Sequence, residues 1–264
     1  KTPAGHPENR SRFALFFGCS FTWGEGVNDN QTLAAQFAAL APEYHPYNYG
    51  CSAYGPQQMY LMLQNTAFLE DIPQNRGIIV YTFIDHHVDR VAGTMRLVSA
   101  WGHQLPRITF EDNHLVHHGT FDQAMTRLQK SLLRLANWSP TLLLMKVDWP
   151  PERSEYDFAL TARLIVESAR LSRERYPESQ FLLLFFPGAL YAERLIPYLS
   201  QAGVPYLNYT HLFEDDSEGG APYFLPDGHP APRAHQCLAE ALAADLAAGF
   251  NRVSQDNSRA AAAP

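Results

Sequence analysis

Short apolar runs alternate with longer amphipathic stretches along most of the chain. The clearest runs lie at residues 13–17, 77–84 and 180–186. Continuous apolar character over so few residues is typical of strands buried on both faces of a parallel sheet. Two shorter runs, at residues 47–49 and 204–207, fit the same interpretation. We predict a strand at each of these five positions.

The stretches between the runs carry apolar side chains at helical spacing. They predict helices at residues 32–40, 57–69, 121–137, 152–176, 192–202 and 232–247. Residues 141–147 are apolar but ambiguous between strand and helix. Strands that alternate with helices at this spacing form βαβ units, so we expect an α/β fold with a parallel sheet covered on both faces.

Residues 105–118 interrupt this alternation. Two polar-apolar segments on either side of Asp112 and Asn113 predict a β-hairpin inserted after the third strand. Its position suggests a lid over a site at the sheet edge. We expect one domain over residues 13–250, preceded by a flexible lead-in at residues 1–12 and followed by a disordered tail at residues 251–264.

Composition and charge exclude several classes of protein. Apolar residues make up 46% of the chain and charged residues 18%, which is a globular composition. The net charge of −7 argues against a nucleic-acid or anionic-membrane partner. No apolar run approaches the ~20 residues needed to cross a bilayer, so we expect no transmembrane segment. The chain begins at Lys1 without a signal-peptide pattern, and we expect a processed or truncated product, of bacterial origin and extracytoplasmic location.

Candidate chemistry lies where the predicted strands end. In open parallel sheets, ligands bind beyond the carboxyl ends of the strands. Ser20 follows the first strand within Gly-Cys-Ser-Phe-Thr-Trp-Gly-Glu-Gly, residues 18–26. A serine hydroxyl at this point is a candidate nucleophile, because nearby backbone amides and a helix start can stabilise an oxyanion. The alternative is that Ser20 merely caps a helix.

Two further blocks accompany the serine. Asp227 and His229 lie just before the last predicted helix. A neutral imidazole can take the hydroxyl proton and a carboxylate can orient it, although a turn with a capping Asp also explains this block. Gly50 ends the second strand, where its N–H can reach a substrate oxygen unobstructed by a side chain.

In this order, the blocks resemble the SGNH/GDSL superfamily of serine esterases and acyltransferases. The resemblance runs from about residue 13 to the last helix. It implies a three-layer α/β/α, flavodoxin-like fold and acyl-ester chemistry through an acyl-serine intermediate, with no metal or other cofactor. It also implies that Ser20 is the nucleophile, His229 the base and Asp227 the orienting acid. The amides of Ser20 and Gly50 would contribute to the oxyanion hole.

Two positions depart from the family pattern. Asp227 precedes His229 by two residues, whereas many members have three. Asp85 stands where the family has an oxyanion-hole Asn, and an ionised carboxylate cannot donate a hydrogen bond. The hole then uses His86 or His87, a protonated Asp85, or backbone amides alone.

The remaining histidines and cysteines leave two alternatives open. A metal site would combine His114 and His117 or His118 with Asp85 or Asp89, but this spacing matches no familiar zinc pattern, and scattered histidines are the favoured interpretation. Cys19 and Cys51 follow neighbouring strands and are either a disulfide or, as we favour, two free thiols.

The sequence therefore predicts a serine-dependent hydrolase of acyl esters, acetyl esters among them. The substrate would be a small-molecule or saccharide ester. One alternative is an O-acyltransferase or esterase that modifies a polysaccharide. The other is a catalytically weak saccharide-binding module that retains the fold, for which the Asp85 departure is the main argument.

Overall fold

A computed structural model describes residues 9–128, 130–131, 150, 152–214 and 222–249. Its seven strands are β1 (Arg12–Phe17), β2 (Tyr44–Asn48), β3 (Gly77–Phe83), β4 (Pro106–Glu111), β5 (His114–Thr120), β6 (Gln180–Phe185) and β7 (Tyr206–Asn208). Five of them form a parallel sheet in the order β2-β1-β3-β6-β7, and β4 and β5 form a separate antiparallel hairpin. The predicted α/β class with a central parallel sheet is confirmed.

Helices connect these strands. They are α1 (Ser20–Trp23), α2 (Leu33–Leu40), α3 (Pro56–Gln64), α4 (His86–Ala92), α5 (Met95–Ala100), α6 (Phe121–Ala124), α7 (Glu155–Arg175), α8 (Ala192–Gln201) and α9 (Pro232–Ala247). Among the described residues, no helix is long and apolar enough to cross a membrane.

The alternation of side chains along β1 shows how the two faces of the sheet are covered. Phe13, Leu15 and Phe17 join a core shared with α3, α7 and α8. Ala14 and Phe16 point to the opposite face and join a core shared with α2 and α9. Successive side chains of a strand point to opposite faces, so a fully apolar strand must be covered on both. The result is the expected three-layer α/β/α sandwich.

Side-chain caps define the starts of two major helices. The hydroxyl of Ser154 accepts the N–H of Asp157, whose carboxylate in turn accepts the N–H of Ser154, so α7 begins with a capping box. Thr32 caps α2 by accepting the N–H of Ala35. A second amide in the first turn of α2, that of Leu33, donates to Nδ1 of the buried His235 at 3.1 Å. This hydrogen bond connects α9 to α2.

One predicted helix is interrupted in its described part. Within the helix expected at residues 121–137, residues 121–124, 127, 128, 130 and 131 are helical, but the backbone of Met125 is extended. Met125 instead packs against a small cluster that contains Val98, Leu105 and Phe121. This tertiary packing overrides the helical spacing of the sequence. Residues 132–137 and the ambiguous run at residues 141–147 lie outside the described residues.

The ends of the chain differ in what the structure describes. Arg12 opens β1, one residue before the expected domain boundary. Arg10 donates hydrogen bonds from its guanidinium to the carbonyls of Ala38 and Tyr44, so this part of the expected lead-in is tied to the domain. Residues 1–8 and the expected disordered tail at residues 251–264 are not among the described residues.

The hairpin of β4 and β5 packs on the helical layer. Ile108 is buried in a cluster with Tyr60 of α3 and Leu164 of α7. The N–H of Phe110 donates to the hydroxyl of Tyr156 at 3.1 Å. These contacts make the hairpin a support for α3 and α7, and they add nothing in favour of a lid.

Candidate active site

The sheet order places the first three strand ends together. β1 lies between β2 and β3, so the chain leaves β1 toward one side of the sheet and later returns to the other. Ligands of doubly wound sheets bind at such a topological switch point, beyond the carboxyl ends of the strands. The loop after β1 contains Ser20, and the loop after β2 contains Gly50.

Ser20 is the first residue of α1 and is largely buried. Cys19 occupies the N-cap position, and its carbonyl accepts the N–H groups of Thr22 and Trp23. The interpretation of Ser20 as a helix cap is therefore wrong. Gly18 permits the tight turn before it, because φ there is +154° and a Cβ would lie 2.1 Å from Oγ1 of Thr22.

His229 reaches Ser20 from the other end of the chain. Its loop is closed by two backbone hydrogen bonds, from the N–H of Leu225 to the carbonyl of His229 and from the N–H of Gly228 to the carbonyl of Leu225. The loop places Nε2 of His229 at 3.1 Å from Oγ of Ser20, across 209 positions of sequence. The ring of Phe21 lies edge-on to the imidazole with the centroids 5.7 Å apart.

Asp227 contacts His229 through both carboxylate oxygens. Oδ1 accepts the backbone N–H of His229 at 3.1 Å, and Oδ2 lies 3.1 Å from the ring Nδ1. The second contact is poorly aligned for a hydrogen bond, and Nδ1 has no better partner. The backbone hydrogen bond and then the imidazole lower the pKa of Asp227. Asp227 does not cap α9, whose N-cap residue is Ala231.

Gly50 packs directly against the turn that contains Ser20. A Cβ at this position would lie 2.6 Å from the backbone N of Trp23, so only glycine allows the two loops to approach this closely. The N–H of Gly50 donates to Oδ1 of Asn48 at 3.0 Å, within its own loop. Nδ2 of Asn48 donates to the carbonyl of Thr22 at 2.9 Å. The Gly50 amide expected in an oxyanion hole thus already has an acceptor.

Asn48 is a residue that the sequence reasoning missed. It joins the loop after β2 to α1 and holds the Gly50 amide, and it is 7% exposed. An Asn two residues before a Gly at a strand end is a typical signal for a side chain that bonds its own loop backbone.

The structure places Asp85 and His86 in contacts of their own. The carboxylate of Asp85 accepts the backbone N–H groups of Leu190 and Tyr191 at 3.0 and 2.9 Å, just before α8. Burial raises the pKa of Asp85, and these two hydrogen bonds partly offset the shift. The side chain of His86 is 75% exposed and pairs with Asp89 at 3.1 Å. The hydrogen bonds to Leu190 and Tyr191 give Asp85 a structural function just before α8.

His87, the other donor considered for the hole, lies in the core. Its side chain is fully buried, and Nδ1 lies 2.7 Å from the hydroxyl of Tyr81. Within the described ranges, no group of three or more His, Cys, Asp or Glu side chains is arranged to hold a metal ion. Cys19 and Cys51 are free thiols, as favoured, and so is Cys237.

A second carboxylate lies beside the serine–histidine pair. Oε2 of Glu25 is 3.8 Å from Nε2 of His229 and accepts a hydrogen bond of 2.6 Å from the hydroxyl of Ser52. In the sequence, Glu25 lies between two glycines after the candidate nucleophile, where it is a candidate for substrate contact or, as the favoured alternative, a residue that caps the sheet or forms a surface pair. The site therefore joins the loop after β1, the loop after β2 and the loop before α9.

Comparisons with known proteins identify the fold. No family model matches the sequence, and no curated protein matches it either. A member of the lipolytic protein G-D-S-L family from Veillonella parvula DSM 2008 has a similar structure, with a TM-score of 0.51 and 13% identity over 91% of this chain and 99% of that one. TesA is similar with a TM-score of 0.50 and 16% identity, over 89% of this chain and 98% of that one.

A third similar structure is a carbohydrate esterase family 2 enzyme with a carbohydrate-binding domain, from Corynascus thermopiles. Its TM-score is 0.50 and its identity 13%, over 95% of this chain and 68% of that one. At these identities the comparisons establish the fold alone. The three-layer α/β/α fold that the resemblance implies is confirmed.

Proposed function

We propose that this protein is a serine-dependent hydrolase of acyl esters, with Ser20 as nucleophile, His229 as general base and Asp227 as the residue that orients the imidazole. The observation that carries the proposal is the 3.1 Å separation between Nε2 of His229 and Oγ of Ser20. A nucleophile and a base within hydrogen-bond reach, with a third group oriented toward the base, is the arrangement that covalent acyl transfer requires.

In the first half of the reaction, Oγ of Ser20 bonds to the ester carbonyl carbon while its proton passes to Nε2 of His229. The tetrahedral intermediate then breaks the bond to the alcohol oxygen, and Nε2 returns the proton to the departing alcohol. Ser20 is left acylated. The ionised carboxylate of Asp227, whose pKa is lowered further by the backbone hydrogen bond and the imidazole of His229, stabilises the imidazolium that exists between the two proton transfers.

In the second half, His229 takes a proton from water while the water oxygen attacks the acyl carbon. The carboxylic acid departs, and Oγ of Ser20 regains its proton from Nε2. An acceptor alcohol that replaced water would take the same route and give acyl transfer. Hydrolysis is the function we assign, because it needs no acceptor other than water.

We assign one oxyanion-hole donor to the backbone N–H of Ser20. Within the part of the chain that the structure describes, this amide, in the first turn of α1, donates to no protein acceptor. Gly50 donates to Asn48 and Asp85 accepts from the amides before α8, so neither is assigned to the hole. Removing one such donor typically costs about 10²–10³ in rate.

The contacts of Asp85 also weigh against a catalytically weak saccharide-binding module. The argument for that alternative was an acidic residue in place of an oxyanion-hole Asn. Because the carboxylate is bonded to Leu190 and Tyr191, its presence has a structural explanation that does not require loss of catalysis.

Labelling with a fluorophosphonate tests the proposal, because the reagent modifies serines that an adjacent base activates. We expect the wild type to be labelled and Ser20→Ala to lose the label. Ser200→Ala, at an exposed position near the end of α8, is the matched control and should label as the wild type does. A wild type that neither takes the label nor hydrolyses 4-nitrophenyl acetate would contradict the proposal.

A further inference from the structure

Glu25 is attached to the same turn as the candidate nucleophile. Its backbone N–H donates to the carbonyl of Ser20 at 3.1 Å. Gly24 and Gly26 on either side both have φ of +83°, a conformation that favours glycine. The local backbone therefore sets where the Glu25 side chain begins relative to Ser20.

The Glu25 carboxylate has one anchored oxygen and one open oxygen. Oε2 accepts the hydroxyl of Ser52 at 2.6 Å and lies 3.8 Å from Nε2 of His229. Oε1 accepts no hydrogen bond from any residue that the structure describes. The side chain is 46% exposed, so it is open to a ligand.

The position of this carboxylate relates it to the alcohol half of an ester. In the proposed reaction, Nε2 of His229 returns a proton to the leaving alcohol, whose oxygen must then lie within hydrogen-bond reach of that nitrogen. Oε2 of Glu25 lies 3.8 Å from the same nitrogen. A hydroxyl on the carbon next to the one that bears the ester oxygen is therefore within range of the Glu25 carboxylate.

We propose that Glu25 binds a free hydroxyl adjacent to the scissile ester, so that the site selects esters of uncharged polyols. The inference rests on the proposed function. An ionised carboxylate only accepts hydrogen bonds, so it favours hydroxyl donors. It also repels leaving groups that carry a negative charge. Ser52 is the positioning residue, because its hydroxyl fixes the carboxylate that contacts the substrate.

The test compares 2-hydroxyethyl acetate with 2-methoxyethyl acetate, which lacks the hydroxyl donor. The measured quantity is the ratio of the two kcat/KM values on one preparation, which does not depend on the fraction of protein that is folded. We expect the wild type to prefer the hydroxy ester by about tenfold, the size of one hydrogen bond to a charged group. Glu25→Gln, which keeps an acceptor but loses the charge, should reduce the preference by about fivefold.

Two further variants sharpen the comparison. Glu178→Gln removes one exposed carboxylate before β6, at the opposite edge of the sheet, and should keep the wild-type ratio. Ser52→Ala should give a ratio between those of the wild type and Glu25→Gln, since it removes only the anchor of the carboxylate.

The outcomes separate the two proposals. If both esters are hydrolysed but the ratio is the same in the wild type and Glu25→Gln, the assignment of Glu25 is overturned while the esterase remains. If neither ester is hydrolysed and Ser20 takes no fluorophosphonate label, the proposed function fails and this inference with it.

Discussion

The hydroxyl of Tyr81 and Nδ1 of His87 lie 2.7 Å apart in the core, where both side chains are fully buried. Burial, reinforced by the charge of Arg90, lowers the pKa of His87 well below its usual value. His87 is therefore neutral in the folded protein at neutral pH. On unfolding, the pKa of His87 returns to the ordinary value of about 6.5.

This difference predicts a loss of stability in acid. Below about pH 6.5 the unfolded state binds one more proton than the folded state at His87, so the free energy of unfolding falls as the pH falls. The contribution between pH 7 and pH 5 is at most about 2 kcal/mol, reached when His87 stays neutral in the folded protein down to pH 5. Urea denaturation at the two pH values measures it in the wild type and in His87→Gln.

The comparison between variants isolates His87 from other titrating groups. We expect the acid-induced loss to be smaller in His87→Gln, and to keep its wild-type size in His114→Gln, whose side chain is exposed on the hairpin. Equal losses in the wild type and His87→Gln would show that His87 does not titrate differently in the two states.

We predict that removal of the Asp85 carboxylate lowers the stability of the fold rather than the rate of catalysis. Asp85→Ala leaves the N–H groups of Leu190 and Tyr191 without their acceptor and should lower the free energy of unfolding by about 1–3 kcal/mol. Asp71→Ala, at an exposed position, is the control and should change it by less than about 0.5 kcal/mol. Chemical denaturation measures both.

Activity assays on the folded fraction of Asp85→Ala address the oxyanion-hole question directly. Loss of a donor to the oxyanion typically lowers kcat by about 10²–10³. We expect a change well below tenfold. A loss of 10² or more, with stability unaltered, would return Asp85 to the catalytic machinery.

The parallel sheet and the contact between Ser20 and His229 could be predicted from the sequence, because both depend on local pattern and chain order. The apolar residues of β1 predict a doubly covered strand, and such strands in βαβ order bring their carboxyl ends to one edge. Ser20 and His229 both lie in loops at that edge. Their meeting needed no knowledge of side-chain conformation.

The direction in which individual side chains point was not accessible in the same way. Asp85 bonds amides that lie 105 and 106 positions away, and nothing around it in the sequence identifies them. The Gly50 amide donates to Oδ1 of Asn48, which the position of the glycine at a strand end does not indicate. Met125 continues a helical pattern but leaves the helix to join a separate cluster. Each depends on tertiary contacts that alternation and spacing do not encode.

The pH dependence of hydrolysis tests the role of His229. If the imidazole must be neutral to accept the Ser20 proton, kcat/KM should fall as the pH is lowered from 7 to 5, because protonation removes the base. The pKa of Asp227 is lowered, so Asp227 stays ionised over this range and adds no second acid limb. A flat profile between pH 5 and 7 would exclude His229 as the base.

Asp227→Asn measures how much the orienting carboxylate contributes. Loss of a buried, well-aligned triad carboxylate costs about 10⁴ in kcat. Asp227 is 60% exposed and its contact with Nδ1 is poorly aligned, so we expect a smaller loss of about 10- to 100-fold. Steady-state kinetics of Asp227→Asn beside Asp71→Asn make the comparison. A change below twofold would remove Asp227 from the mechanism.

Gly50→Ala tests whether the close approach of two loops positions the nucleophile. The added methyl would lie 2.6 Å from the backbone N of Trp23 and 2.9 Å from the backbone carbon of Thr22, so α1 must move. Overpacking of this kind costs about 1–3 kcal/mol, and displacement of Ser20 should reduce kcat by tenfold or more. Gly55→Ala is the matched control, because its nearest contacts are side-chain atoms of Gln57 and Arg90. If Gly50→Ala and Gly55→Ala have the same melting temperature and the same kcat, the packing of the loop after β2 against α1 is not what holds Ser20 in place.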